Sequence, residues 1–375
     1  MNHRVWAEVD LDRIGHNLAQ IRRRVGPSVT VIGVVKADAY GHGAVPFARE
    51  LQRLGVGMLG VATPQEATEL REAAIGGSIL ILGATLPSDA DVVLRTKAAV
   101  TISDIGVAEA FSKEAQSVGV TIPVHLKVDT GMGRLGVPAA EAVESAMRLT
   151  RMRGLRVEGI LMHFASADSD RQFTESQISL FEGICSQIRS RGISMAMRHA
   201  ANSAGIIAHP TSFFDAVRPG TSLYGYYPWP GMVQTLDLKP VLTMKSRIVF
   251  LKRFQPGQTT GYGRTCRVEK EALGAVVSVG YADGFSRLLS NRGHVLIAGK
   301  RVKVLGRISM DQTVVDVTGL PDVKVDDEVV IYGRQADEQL WVDEVAQFLG
   351  TIPNELLCAI GRRVPRIYLR GGQPV

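Results

Sequence analysis

Several side chains able to do chemistry close otherwise apolar runs in the first 225 residues. Lys36 ends a run that starts at residue 30, Lys127 lies in a second run, and His163 stands near the end of a third. Asn202 and Ser203 follow a fourth, and Arg218 sits in a fifth. A lysine whose stem is packed among apolar residues is desolvated, which lowers its pKa and leaves a neutral amine free to form a Schiff base. A lone lysine could equally snorkel at a surface. The glycine-bearing stretch 40–43 (YGHG) after Lys36 suggests backbone approaching a ligand and favours the first reading. Taken singly, His163 would serve as a satisfied core residue, and Arg218, which precedes Pro219 and Gly220, as half of a surface ion pair.

The elements that position these residues follow from periodicity. Short apolar runs at 30–38, 58–63, 78–83, 98–103, 122–129, 157–164, 195–202 and 216–224 alternate with helical patterns such as 64–74 and 171–189. Eight βα units predict a TIM barrel, whose functional groups stand at the C-terminal ends of its strands. An open doubly wound sheet is the alternative, but its G-x-G-x-x-G fingerprint is absent after the first strand. The proline-rich stretch 226–231 (YYPWPG) reads as a boundary. Beyond it, runs at 241–253, 275–281, 293–305, 313–317 and 328–332 read as strands, and only Val342–Leu349 looks helical. The expected plan is a barrel domain over 10–230 and a mainly β domain over 231–375 that takes in an N-terminal strand at 1–9. No repeat of solenoid period and no low-complexity tract interrupts it.

Composition narrows the function. The 375 residues are 45% hydrophobic and 21% charged, ordinary globular usage, and no run reaches the roughly 20 apolar residues of a membrane helix. Residues 1–10 (MNHRVWAEVD) carry Glu8 and Asp10 where a secretory signal needs apolar residues, so a soluble cytoplasmic protein is expected. Three scattered cysteines argue against a disulfide framework or a zinc cluster, and no metal is expected. The net charge of +6 and the basic runs at 22–24 and 362–363 raise nucleic-acid binding. No aromatic-basic interleaving and no helix-turn-helix or zinc-finger spacing supports it.

The stretch 35–43 (VKADAYGHG) resembles the pyridoxal 5′-phosphate (PLP) lysine signature of alanine racemases, fold-type III enzymes with a TIM barrel and a C-terminal β domain. The resemblance continues in order through KVDTGMGRLG (127–136), MHFA (162–165), HAANSAG (199–205), VRPG (217–220), GYG (261–263), GYADG (280–284), GRISMDQ (306–312) and RVPRI (363–367). It implies that Lys36 carries the cofactor and acts as base on one face of the substrate α-carbon. Tyr262 would act on the other face, supplied by the partner subunit of a homodimer. Racemisation needs two such groups, one removing the α-proton and one returning it.

The same resemblance implies that Arg218 donates to the pyridine nitrogen and that His163 links Arg218 to Tyr262. Arg134 would contact the cofactor's phenolic oxygen and the substrate carboxylate, steadied by a carbamylated Lys127. Tyr40, Ser203, Gly220 and Thr221 would hold the phosphate, with Asn202 supporting the loop. Met310 would offer its backbone N–H to the substrate carboxylate, with Tyr281 and Asp311 at the entrance. Asn354 departs from the family, which usually has tyrosine there near the phosphate and the substrate side chain. An amide that can hydrogen-bond a hydroxyl predicts serine racemisation beside alanine. A fold-type III decarboxylase would put an acid where Arg218 stands, a PLP carrier would lack the second domain, and a class I aldolase needs no phosphate cradle.

Overall fold

The computed structural model describes residues 3–229, 231–232 and 235–375. Eight parallel strands, Thr30–Val34, Met58–Val61, Ser78–Ile81, Ala99–Ile102, Ile122–Asp129, Leu155–Leu161, Met197–His199 and Ala216–Val217, pair in sequence. The fourth pairs with the fifth through Thr101 and His125, and the last returns to the first with Ala216 opposite Thr30. The ring therefore closes, which rules out the open sheet.

Helices wrap the barrel, and their starts are legible. Helix Pro64–Glu72 has proline in its first turn and Thr63 as cap, whose hydroxyl accepts the Glu66 amide at 3.2 Å. Helix Arg171–Ser190 is capped by Asp170 and buries Thr174, Gln177, Ile178, Phe181, Cys185 and Ile188 at the three-to-four spacing of one face.

Several strands end sooner than their apolar runs. The first stops at Val34, the seventh at His199 and the eighth at Val217, so Lys36, Asn202 and Arg218 stand just beyond their strands rather than within them.

The second sheet runs in the order Lys300–Lys303, His294–Ile297, Glu328–Gln335, Leu242–Phe254, Val5–Asp10, Arg366–Arg370, Gln373–Pro374. The N-terminal strand lies antiparallel to Leu242–Phe254, with Val5 opposite Ser246, and parallel to Arg366–Arg370. Met1 and Asn2, at the start of the expected N-terminal strand, and Pro230, at the expected boundary, lie outside the described residues.

Three sequence expectations for this half are corrected. The run 293–305 is a hairpin that turns at Ala298 and Gly299, both at positive φ as a tight two-residue turn requires. The run 275–281 is the strand Ala272–Val277 followed by a separate short turn, Tyr281–Asp283. A second helix, Pro353–Cys358, joins Val342–Leu349, and proline again marks its first turn. Among the described residues no helix is long and apolar enough to cross a membrane.

The arginines at 22 and 24 are spent within the fold. Arg22 donates to the carbonyls of Leu54 and Gly55, and Arg24 to those of Ile206 and Ile207. They satisfy carbonyls at or near the ends of neighbouring helices that would otherwise need water.

Candidate functional site

Lys36 opens a turn of unusual hand. Ala37, Asp38, Ala39 and Tyr40 all have φ between 51° and 53°, and Gly41 follows at 77°. Left-handed helix costs about 1–2 kcal/mol per residue with a Cβ, so four in a row persist only under external restraint. Asp38 Oδ1 accepts the Ala44 amide at 2.7 Å, Arg366 Nε donates to the Gly41 carbonyl at 2.9 Å, and the Tyr368 hydroxyl donates to the His42 carbonyl at 3.1 Å. Gly41 lies so close to the Leu357 carbonyl that a Cβ there would overlap it. The Tyr40 ring packs on Tyr224, centroids 4.6 Å apart, which turns its hydroxyl toward Gly220.

Arg218 is buried, and none of its protein partners is a carboxylate. Nη1 donates to Nδ1 and to the carbonyl of His199 at 2.8 and 2.7 Å. Nη2 donates to the carbonyls of Met162 and Ala200 at 2.7 and 2.9 Å and reaches His163 Nδ1 at 3.4 Å. Among the described residues, Nε–H is the donor left over for a ligand. Because arginine can only donate, His199 Nδ1 must be the unprotonated nitrogen; Nε2 then carries the proton and donates to His125 Nδ1 at 2.9 Å. Burial holds His199 well below the ordinary histidine pKa and brings His125 down to about 4, with Arg218 adding to both. His163 is likewise held far down, by burial first and then by Arg218 and Lys127. Burial lowers Arg218 itself to about 10, which still leaves it charged at neutral pH.

Arg218 and His163 face one cavity of about 570 Å³ at the barrel mouth, with His199 and His125 behind them. Lys36, Lys127, Arg134 and Arg218 all line it, against the single acid Asp168 among its described lining residues. Burial lowers Lys36, with Arg134 adding to the effect. Lys127 is brought to about 8 by burial and then by Arg218 and Arg134. Arg134 rides on a glycine-rich loop pinned by Asp129, whose Oδ1 accepts the amides of Gly131 and Gly133 at 2.9 and 3.1 Å. Burial opposes the Asp129 charge, yet these amides hold its pKa below the ordinary value.

At the far wall Ser203 Oγ accepts the amides of Gly220 and Ser222 at 3.0 and 3.2 Å. Asn202 caps the helix Ser203–Ala208, accepting the Gly205 amide at 3.0 Å. Thr221 donates to Asn354 Oδ1 at 3.1 Å, so the helix Pro353–Cys358 of the second domain completes the wall.

The remaining expected residues do not line this cavity. Tyr262 is 70% exposed on the short turn Tyr262–Arg264, and Met310 and Tyr281 are half-exposed. Tyr281 donates its amide to the Ser309 carbonyl at 3.1 Å, and Arg363 grips Asp311 at 2.8 Å and Asp283 at 2.7 Å. Tyr281, Met310 and Asp311 thus form a second cluster on the other domain. His125 escaped the sequence reading because nothing in its run marks it, and His199 stood in a noted motif without a role.

The family models described as "Alanine racemase, N-terminal domain" and "Alanine racemase, C-terminal domain" match residues 9–228 and 241–368. The chain belongs to the alanine racemase family. Alanine racemase 1 of Clostridium acetobutylicum is 42% identical over 374 residues, covering 99% of this chain and 97% of that one. The alanine racemase of Desulforamulus reducens is 43% identical, covering 98% and 100%. Among solved structures, the alanine racemase of Clostridium difficile superposes with a TM-score of 0.96 at 35% identity, covering 100% and 98%. That of Bacillus anthracis with bound L-Ala-P gives 0.94 at 34%, covering 100% and 97%. The chain is thus an amino-acid racemase, and the decarboxylase, carrier and aldolase readings fall away.

Proposed function

We propose that the cavity binds PLP on Lys36 and interconverts L- and D-alanine, with serine as a secondary substrate. The observation that carries this reading is the convergence of two arginines and two lysines on one cavity with a single acid among its described lining residues. Such a charge balance suits a ligand pair bearing a phosphate and a carboxylate. The donor set fits the cofactor: Ser203, Gly220, Thr221 and Tyr40 would hold the phosphate, with Asn202 bracing the helix behind them. Arg218 would offer Nε–H to the pyridine nitrogen, and a donor-only partner leaves that nitrogen unprotonated. When bound, the cofactor draws electron density from the substrate α-carbon and so acidifies its proton.

The chain's own groups then move that proton. The lowered pKa of Lys36 leaves more of its amine neutral at working pH, ready to take the α-proton from one face. Tyr262 of a second copy would serve the opposite face, with Met310, Tyr281 and Asp311 arriving beside it. The exposure of Tyr262 and Met310 in a single chain supports a homodimer whose sites are shared. His163 is neutral, and its Nδ1 faces the Arg218 guanidinium at 3.4 Å, where it can only share a hydrogen already given to a carbonyl; with that nitrogen unprotonated, its Nε2–H would be free to steady an incoming tyrosine oxygen. Arg134 would hold the substrate carboxylate. Lys127, buried among cations, is a ready amine for carbon dioxide; the carbamate formed, with release of a proton, would become an anchor for Arg134.

Asn354 supports the serine component. Its oxygen is occupied by Thr221, which leaves its amide N–H groups to meet a hydroxyl in the cavity. The test is a chiral-product assay of the PLP-loaded protein with equimolar L-alanine and L-serine. D-alanine in excess with a smaller D-serine signal is expected, and the absence of both products would overturn the assignment.

A further inference from the structure

Glu66 does not line the cavity, yet it grips the segment on which Lys36 stands. It occupies the first turn of helix Pro64–Glu72, after the second barrel strand. Its Oε1 accepts the amide of Ala37, the residue next to Lys36, at 2.7 Å. Its Oε2 accepts the amide of Ala62, just past the second strand, at 2.6 Å. One carboxylate therefore ties together the ends of the first two barrel strands. Thr63, by accepting the Glu66 amide, fixes the start of the helix from which the carboxylate reaches.

Ala37 is the first residue of the left-handed run, with φ 53° and ψ 52°. The Ala37 N–H lies in the peptide plane that joins it to Lys36, so a fixed acceptor at this spot fixes that plane, from which the Lys36 side chain and the left-handed run both depart. An ionised acceptor makes the stronger bond, and both of its oxygens are used. We propose that Glu66 is the positioning residue for Lys36, holding the peptide plane that sets where the lysine side chain leaves the backbone and where the left-handed turn begins. This rests on Lys36 being the reactive lysine. The restraints from Asp38, Arg366 and Tyr368 grip the far end of the turn; Val35, before Lys36, is held by its amide bond to the Gly60 carbonyl at 2.9 Å, and Glu66 grips Ala37, the residue after it.

The test separates geometry from stability. In hydrogen exchange of the cofactor-free chain, Glu66→Ala is expected to speed exchange in peptides covering 36–43 by about tenfold or more, with the rest of the barrel unchanged. Thr63→Ala removes the helix cap but leaves both carboxylate bonds, and should leave 36–43 slow. In the loaded enzyme Glu66→Ala should lower kcat by about tenfold or more while the KM for alanine moves by less than about threefold, the signature of a displaced reacting group. Glu66→Gln keeps one acceptor and turns an N–H toward the other amide, so it should fall between wild type and Glu66→Ala; it also serves if the alanine variant does not fold. Unchanged exchange over 36–43 in a folded variant, or equal effects from Thr63→Ala, would overturn the proposal. Exchange is read without cofactor or substrate, so this failure is distinct from a failure of the racemase assignment.

Discussion

Acid should unfold this protein early, because three of its histidines are sealed in the interior as neutral rings. His42, His125 and His199 are 0%, 1% and 0% exposed. Burial brings His42 and His125 to about 4 and holds His199 well below the ordinary value, and the nearby charges, Arg366 for His42 and Arg218 for the other two, push the same way. In the unfolded chain each ring takes a proton near pH 6.5, while in the folded chain it stays neutral. The unfolded state thus binds more protons below pH 6.5, and stability is lost as pH falls from there toward 4. At pH 5.5 each ring costs about 1 to 1.5 kcal/mol and the three together about 4 kcal/mol. Against a total stability of about 5–15 kcal/mol, that brings the chain close to unfolding. His163 adds in the same direction. Urea unfolding of the cofactor-free chain, followed by circular dichroism between pH 7.5 and 5.0, measures the slope. His125→Asn removes one of these titrations and should cut the slope between pH 6.0 and 5.0 by about a quarter to a third, whatever its effect at pH 7.5. A stability that stays level from pH 7.5 to 5.5, or a slope that His125→Asn leaves untouched, would refute the neutral histidine chain behind Arg218.

Three further outcomes follow from the geometry. Gly41→Ala would force a Cβ into a positive-φ position against the Leu357 carbonyl, so it should cost roughly 1–3 kcal/mol in urea unfolding and weaken PLP binding in a fluorescence titration. Asn354→Tyr should lower the ratio of serine to alanine turnover in the chiral assay, since it withdraws the amide N–H groups from the cavity. Native mass spectrometry in bicarbonate should find one added carbon dioxide per chain, lost in Lys127→Ala, and an identical mass in the two proteins after allowing for the substitution would exclude the carbamate.

The barrel was legible because each of its eight strands is a short apolar run bounded by helix signals, and the cap at Thr63 and the proline at 64 are local chemistry. What escaped was set by tertiary contact. Alanine and tyrosine at 37, 39 and 40 disfavour left-handed backbone; Glu66 braces the start of the run and Arg366 and Tyr368 its end, from elements distant in sequence. The hairpin at 298–299 hid inside a run of strand-forming residues on both sides of a single Ala-Gly pair, and the helix at Pro353–Cys358 was too short to show a period.

The site divides along the same line. Residue types at the strand ends announced lysine, histidine and arginine chemistry, and an ordered set of motifs announced the family. The protonation states that make those residues useful are not in any motif. Arg218 depends on carbonyls from residues 162, 199 and 200 to stay charged in the interior, and by its donor-only chemistry it dictates the tautomer of His199 and through it that of His125. The basic balance that first suggested nucleic acid has the same explanation. Arg22 and Arg24 close helix ends, and Arg134 and Arg218 face a cavity suited to anions, so the excess of positive charge is in part a consequence of what the barrel must hold and how its helices end.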